Sequence, residues 1–320
     1  VSVLHLGEFY VLAGALMVAT AVRVGCDAGH PRRWGLAAFW GLLGVTFVFG
    51  SRFPPAVVGY LVLGIAVLAA TGNAQGSREA TTGPAERVAA AARLGNRLFW
   101  PALLVPATAL VGSLFLGQVR WRGYLLADPA NRSVIFVCAG SLLALATALR
   151  LTRSSLGTAV GEGSRLLQTV GWALILPQAL AALGGLFARA GVGAVVAGLV
   201  ERALPTQHAP VAVAAYCLGM FLFTLCMGNA FAAFAVVTGG IGVPLIVQAH
   251  GGNPAIVAAL GMLSGFCGTL LTPMAANFNL VPAMLLELDD KNAVIKAQAP
   301  IAVALLAFNL LLMEFCVYRF

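Results

Sequence analysis

GNAFAAF (228–234) and GMLSGFCGTLLTPMAANFN (261–279) decide how the rest of this sequence reads. Both lie within apolar sequence. Yet they carry Asn229, Thr269, Thr272, Asn277 and Asn279 beside Gly and Pro residues that an unbroken helix disfavours. In hydrocarbon, backbone released from a helix must line a cavity or be buried in protein, because lipid cannot pair its N–H and C=O groups. The stretch from Met227 to Leu288 is therefore the candidate binding site, and the chain around it is expected to lie in a membrane.

Composition agrees. Hydrophobic residues make up 60% of the 320 and charged residues 9%, against roughly 45–50% and about 25% in soluble domains. Apolar runs of spanning length recur between polar breaks, which fits helices rather than the alternating pattern of an outer-membrane barrel. The expectation is an all-α, polytopic membrane protein of about ten transmembrane helices, including broken helices and a re-entrant hairpin. The net charge of +8 would suggest nucleic acid in a soluble protein. Here the arginines sit in short loops, where they set orientation, so no nucleic-acid partner is expected. Loops carrying Arg23, Arg32 and Arg33, then Arg78, Arg87, Arg93 and Arg97, then Arg150, Arg153 and Arg165 are assigned to the cytoplasm, with the N-terminus outside. The six cysteines show no C-x-x-C spacing and read as small buried hydrophobes, with no metal site implied.

The chain reads as two halves. Residues 1–150 look like scaffold, with plain spans at 3–22, 34–49, 54–71, 98–117 and 133–149. Trp34, Trp40, Trp100 and Trp121 lie near their ends, as interfacial anchors do. Between the third and fourth spans, Pro84 opens a candidate surface helix to Leu94, in which Arg87 and Arg93 meet lipid headgroups. Residues 151–320 look like the transport half. The run at 166–187 is expected to be one helix kinked at Pro177, with Gln178 facing inward. The run at 191–204 is too short to cross.

The site follows from the spacing in 253–279. Pro254 can open a helix that Gly265 and Gly268 then loosen, short of the ~20 residues a span needs. Thr272 and Pro273 can start a second helix, so that Gly268, Thr269, Thr272 and the N–H groups after Pro273 share one small space. Asn229 can meet that space from another broken helix. No Asp, Glu, Lys or Arg occurs between Arg202 and Glu287, so binding would rest on neutral groups. Helix N-termini suit a carboxylate, and unwound carbonyls with Asn or Thr oxygens suit a cation. A lone Gly or Thr in such a run more often serves helix packing. The combination asks for more.

The segments FYVLAG (9–14), RLGNRLFWPALL (93–104), AYCLGM (215–220), VPAMLLEL (281–288) and the two opening motifs together resemble the bacterial membrane family called domain of unknown function 979. Its members are described as subunits of a 5-oxoproline transporter. A more distant likeness is to the ion-transporter superfamily of dicarboxylate, citrate and TRAP-type permeases, with GVPLI, GGNP and GTLLTP standing in the places of its bend and hairpin motifs. The resemblance implies a secondary active transporter subunit for a small carboxylate, 5-oxoproline (pyroglutamate), working by alternating access in the bacterial inner membrane. It points to Asn229, Thr269, Thr272 and Pro273 as ligand or ion contacts, with sodium or a proton as coupling ion and no cofactor. The superfamily's Ser-Asn-Thr is replaced here by Met227-Gly228-Asn229, which bears on the cation site.

No counterpart of GNAFAAF or GTLLTP occurs in the first half, so the site calls for a homodimer or a second, smaller membrane subunit. The resembled family is accompanied by such a one, domain of unknown function 969. Enzymatic activity is not expected, since the apolar runs hold no H-E-x-x-H, carboxylate pair or P-loop. The alternatives to transport are a membrane-embedded enzyme and a structural or assembly subunit of a membrane complex.

Overall fold

The computed structural model describes residues 2–74, 83–121 and 123–320. Two compact units divide it, Val1–Gly171 and Trp172–Phe320.

The first unit holds β1 (Ser2–Leu4), α1 (Leu6–Cys26), α2 (Arg33–Phe49), α3 (Pro55–Ala70), α4 (Pro84–Leu94), α5 (Phe99–Val111), β2 (Arg120–Trp121), β3 (Tyr124–Ala127), α6 (Arg132–Thr152) and α7 (Leu156–Val170). Pro55 and Pro84 sit in the first turns of α3 and α4, where a missing N–H removes no helical bond. Glycine lets α1 and α2 touch backbone to backbone. A Cβ on Gly14 would lie 2.9 Å from the Gly44 carbonyl oxygen, and one on Gly44 the same distance from that of Gly14. Leu36, Phe39 and Trp40 of α2 are wholly buried. The apolar pattern starts the first span at residue 3. Instead Ser2 and Leu4 pair in parallel with Leu125 and Ala127, β2 pairs antiparallel with β3, and α1 starts at Leu6.

The second unit holds α8 (Leu176–Arg189), α9 (Val192–Ala203), α10 (Ala209–Met227), α11 (Ala230–Val237), a π-helical segment (Thr238–Gln248), α12 (Pro254–Thr269), α13 (Leu280–Leu285) and α14 (Ala293–Cys316). The expected kink at Pro177 is replaced by a true break six residues earlier, at Gly171. α7 ends at Val170, Gly171 takes a φ of +53°, and a short 3-10 turn leads into α8. Glycine reaches that φ without a side-chain clash, and Pro177 then falls in the first turn of α8, where it costs no hydrogen bond.

Among the described residues, six helical stretches are long and apolar enough to cross a membrane: Leu6–Cys26, Ala85–Leu116, Arg132–Thr152, Ala209–Met227, Ala230–Gln248 and Ala293–Cys316. The apolar helices Arg33–Phe49, Pro55–Ala70 and Pro254–Thr269 are shorter. Their outer faces carry large side chains open to the surroundings, such as Tyr60 (74%) and Leu311 (67%). A water-facing surface would not hold so many. The chain is an all-α, polytopic membrane protein.

Tyr216 of α10 organises the second core. Its ring is fully buried, its hydroxyl donates to the Val257 carbonyl (3.2 Å), and a 2.7 Å bond joins it to the Thr238 hydroxyl. One buried phenol thus ties α10 to the π-helical segment and to α12. Room for it comes from Gly261, where a Cβ would collide with the phenol oxygen. Gly265 and Gly268 continue that face toward Met220, Phe221 and Thr224. The sequence suggests that these two loosen the helix, but α12 runs unbroken through both, because their bare Cα atoms serve the contact with α10.

A methyl group at Gly268 would stand 2.5 Å from the Phe221 carbonyl oxygen and 3.0 Å from the Thr224 Cβ. Gly268→Ala should therefore destabilise the detergent-solubilised protein by about 1–3 kcal/mol, read as a lowered melting temperature. Gly59→Ala, where a Cβ meets nothing within 4 Å, should not. Equal melting of the two variants would contradict this packing.

Candidate functional site

The break between α10 and α11 is built by two residues. Gly228 adopts a φ of +67° and donates its N–H to the Thr224 carbonyl at 2.6 Å, closing α10. Asn229 turns extended, and its Oδ1 accepts from the N–H groups of Phe231 (2.9 Å) and Ala232 (3.3 Å), opening α11. The interruption satisfies much of its own backbone, as apolar surroundings require. Gly228 has a second reason to lack a side chain. A Cβ there would lie 2.5–2.7 Å from the carbonyl carbon, carbonyl oxygen and Cβ of Met274, so the loop after α12 rests directly on the break.

That loop, 270–279, is held by Asn279. Its side chain is fully buried, and its Nδ2 donates to the carbonyls of Thr269 (2.8 Å) and Thr272 (2.7 Å). A helix C-terminus leaves carbonyls without partners, and here one amide reaches back to supply them. Thr272 Oγ1 accepts from the Met274 N–H at 3.2 Å, while the Thr269 hydroxyl donates to Phe266 O at 2.7 Å. A second helix is expected from the sequence at Thr272 and Pro273. Turns occupy those positions instead and α13 begins at Leu280, because Asn279 closes the chain into a loop over the end of α12.

Two oxygens in this neighbourhood are buried without a hydrogen-bond partner, Asn279 Oδ1 and Thr224 Oγ1. Both residues are fully buried. Burying an amide or hydroxyl oxygen unpaired costs free energy, so such atoms call for a donor or a cation. Thr224 faces the glycine side of α12, with Oγ1 3.3 Å from where a Cβ on Gly265 would lie. Asn279 covers the end of the same helix.

Of the residues singled out in the sequence, Asn229, Gly268, Thr269, Thr272 and Asn279 belong to this one assembly of break, helix end and loop. Pro273 and Asn277 lie exposed on the loop, and Asn277 makes no side-chain hydrogen bond among the described residues. Gln178 falls in α8, and its side chain lies outside the described residues. The sequence pattern does not single out Thr224 or Tyr216. A threonine one turn before Gly-Asn is the available signal for the first; Tyr216 looks like any core aromatic. Glu314, whose place near a span end suggests that it reaches the membrane surface, has its Oε2 buried with no partner. Ahead of α14, the exposed Asp290 carboxyl is held below its usual range by Lys296 of that helix (2.7 Å) and by the Asn292 N–H.

The family profile described as Protein of unknown function (DUF979) matches residues 7–318. The chain belongs to that family. No curated protein matches it. The solved structure of Neisseria gonorrhoeae MtrF, from work on a class of antimetabolite efflux pumps, aligns with 95% of this chain at 18% identity and a TM-score of 0.35. The DUF979 chain spans 61% of the length of that structure.

The Asn279 bonds generate a sharp contrast. Asn279→Ala leaves two buried carbonyls without their donor and should destabilise the protein by about 1–3 kcal/mol for each, exposing 270–279 to limited proteolysis. Asn277→Ala should change neither melting nor cleavage. Matching behaviour of the two variants would show that Asn279 does not hold the loop.

Proposed function

We propose that this DUF979 protein is a subunit of a secondary active transporter that moves a small carboxylate, 5-oxoproline, across the bacterial inner membrane by alternating access. The observation that carries the reading is the contact between the helix break at Gly228 and the loop at Met274, with two unpaired buried oxygens close by. Irregular backbone within membrane spans is tolerated where it lines a cavity or is packed in protein, and transporters use such breaks as binding sites.

The chemistry suits 5-oxoproline. Its carboxylate is matched by the N-terminal turn of α11, which carries the partial positive charge of a helix start. Its lactam N–H is a donor of the kind that Asn279 Oδ1 lacks. Thr224 Oγ1, Asn279 Oδ1 and the loop carbonyls are hard oxygens suited to a sodium ion, the coupling ion we favour over a proton. Residues 151–320 would then carry transport and residues 1–150 the scaffold. Because the sequence of the first half holds no counterpart of GNAFAAF or GTLLTP, the remaining wall of the site is assigned to a smaller membrane subunit of the domain of unknown function 969 type, or to a second copy of this chain.

The test is uptake of labelled 5-oxoproline in cells lacking other carriers, with the two subunits expressed singly and together, with and without sodium. Uptake should require both subunits and sodium. Thr272→Val should lower it about fivefold, the worth of one hydrogen bond, with the complex intact and Thr272→Ser retaining activity. A Thr272→Val variant that loses its partner instead would turn the reading toward an assembly role. Absence of uptake in every arm would refute the carboxylate.

A further inference from the structure

The first unit contains a helix that its own fold leaves uncovered. No described side chain of α4 is buried, and Val88 on it is 70% exposed. An amphipathic helix with no buried side chain among those described belongs at an interface. At its end Gly95 takes a φ of +52° and a ψ of −138°, a conformation only glycine reaches readily, and this turns the chain before α5 begins. A 3-10 turn (Gly95–Leu98) follows. At this corner lies a hollow of about 390 Å³ lined by Asn96, Phe99, Trp100 and Leu103.

Its lining is one polar residue followed by three apolar or aromatic ones in chain order. Asn96 stands at the turn, and Phe99, Trp100 and Leu103 lead away along α5, all well exposed (65%, 63% and 57%). Arg93 and Arg97 flank the Gly95 turn and are also exposed. Between Gly83 and Trp100 three arginines face a single acid, Glu86. Exposed guanidiniums beside the turn, followed along the chain by exposed aromatic and aliphatic side chains, match the two ends of a phospholipid: anionic phosphate and acyl chain.

We propose that this corner is a binding site for one anionic phospholipid. The Arg93 and Arg97 guanidiniums take the phosphate through charge-assisted hydrogen bonds, for which their planar forks are suited. The Asn96 amide adds a donor, and the Trp100 N–H is available to an ester oxygen at the level where tryptophan collects in membranes. The acyl chain lies along Phe99 and Leu103. Net positive charge selects an anionic headgroup over a zwitterionic one. The lipid would anchor α4 to the surface and fix the corner from which α5 descends. This inference does not depend on the transport reading.

Native mass spectrometry of the purified protein tests it, with phosphatidylglycerol, phosphatidylcholine and glycerol 3-phosphate as separate probes. One phosphatidylglycerol per chain should be retained in preference to phosphatidylcholine, and glycerol 3-phosphate should not bind. Arg93→Gln with Arg97→Gln should weaken phosphatidylglycerol about thirtyfold. Arg150→Gln with Arg153→Gln, outside this corner, should leave retention unchanged. Acyl chains carrying bromine should quench Trp100, a component absent from Trp100→Phe and diminished in the Arg93 and Arg97 variant. Equal retention of the two lipids, equal loss in both arginine pairs, or binding of glycerol 3-phosphate as tight as the lipid would each overturn the site.

Discussion

A backbone N–H or carbonyl left unpaired in hydrocarbon costs several kcal/mol, and the second unit of this protein interrupts its helices in spite of that. It does so by local repair. Gly228 closes one helix with its own N–H, Asn229 opens the next with its side-chain oxygen, and Asn279 supplies two carbonyls at the end of α12 with one amide. Each repair uses a neutral group, so none needs a counter-ion in a stretch without charge. Near these repairs two side-chain oxygens stay unpaired, at Asn279 and Thr224. Their position beside the junction of the two interruptions ties the energetics of the fold to the proposed binding.

The junction depends on packing laid down elsewhere. Gly261, Gly265 and Gly268 recur along one side of α12 and let it lie against α10, with the Tyr216 phenol bridging to the π-helical segment. That approach carries the end of α12 to Thr224 and sets the following loop on Gly228. The same device recurs where α9 meets α11, with a Cβ on Gly193 falling 2.8 Å from the Val236 carbonyl oxygen. Small residues at helix contacts supply in lipid what apolar burial supplies in water.

Much of this architecture is legible in the sequence, and the failures have physical causes. The break at Gly228-Asn229 is readable because glycine followed by asparagine is both a helix stop and a helix start. The helix opened by Pro254 and the surface helix opened by Pro84 are readable for the same local reasons. Gly265 and Gly268 mislead because a glycine tells equally of unwinding and of close packing, and only the partner helix decides. Thr272-Pro273 has the form of a helix start, but a tertiary contact seven residues on, from Asn279, overrides it. The short strands are hidden, β1 at the start of what reads as the first span and β2 and β3 within what looks like a loop, since two to four residues carry too little pattern to announce a sheet. Thr224 offers only its place one turn before Gly-Asn; its significance is the missing partner, which appears only in three dimensions.

Hydrogen exchange of the reconstituted protein, followed by mass spectrometry with and without 5-oxoproline and sodium, asks directly whether the helix break and the loop after α12 form one ligand site. If they do, amides at 228–232 and 270–279 slow together on addition of ligand, while those of the β1–β3 pairing do not change. Protection confined to one of the two segments, or protection of neither in a complex that transports 5-oxoproline, would contradict a shared site.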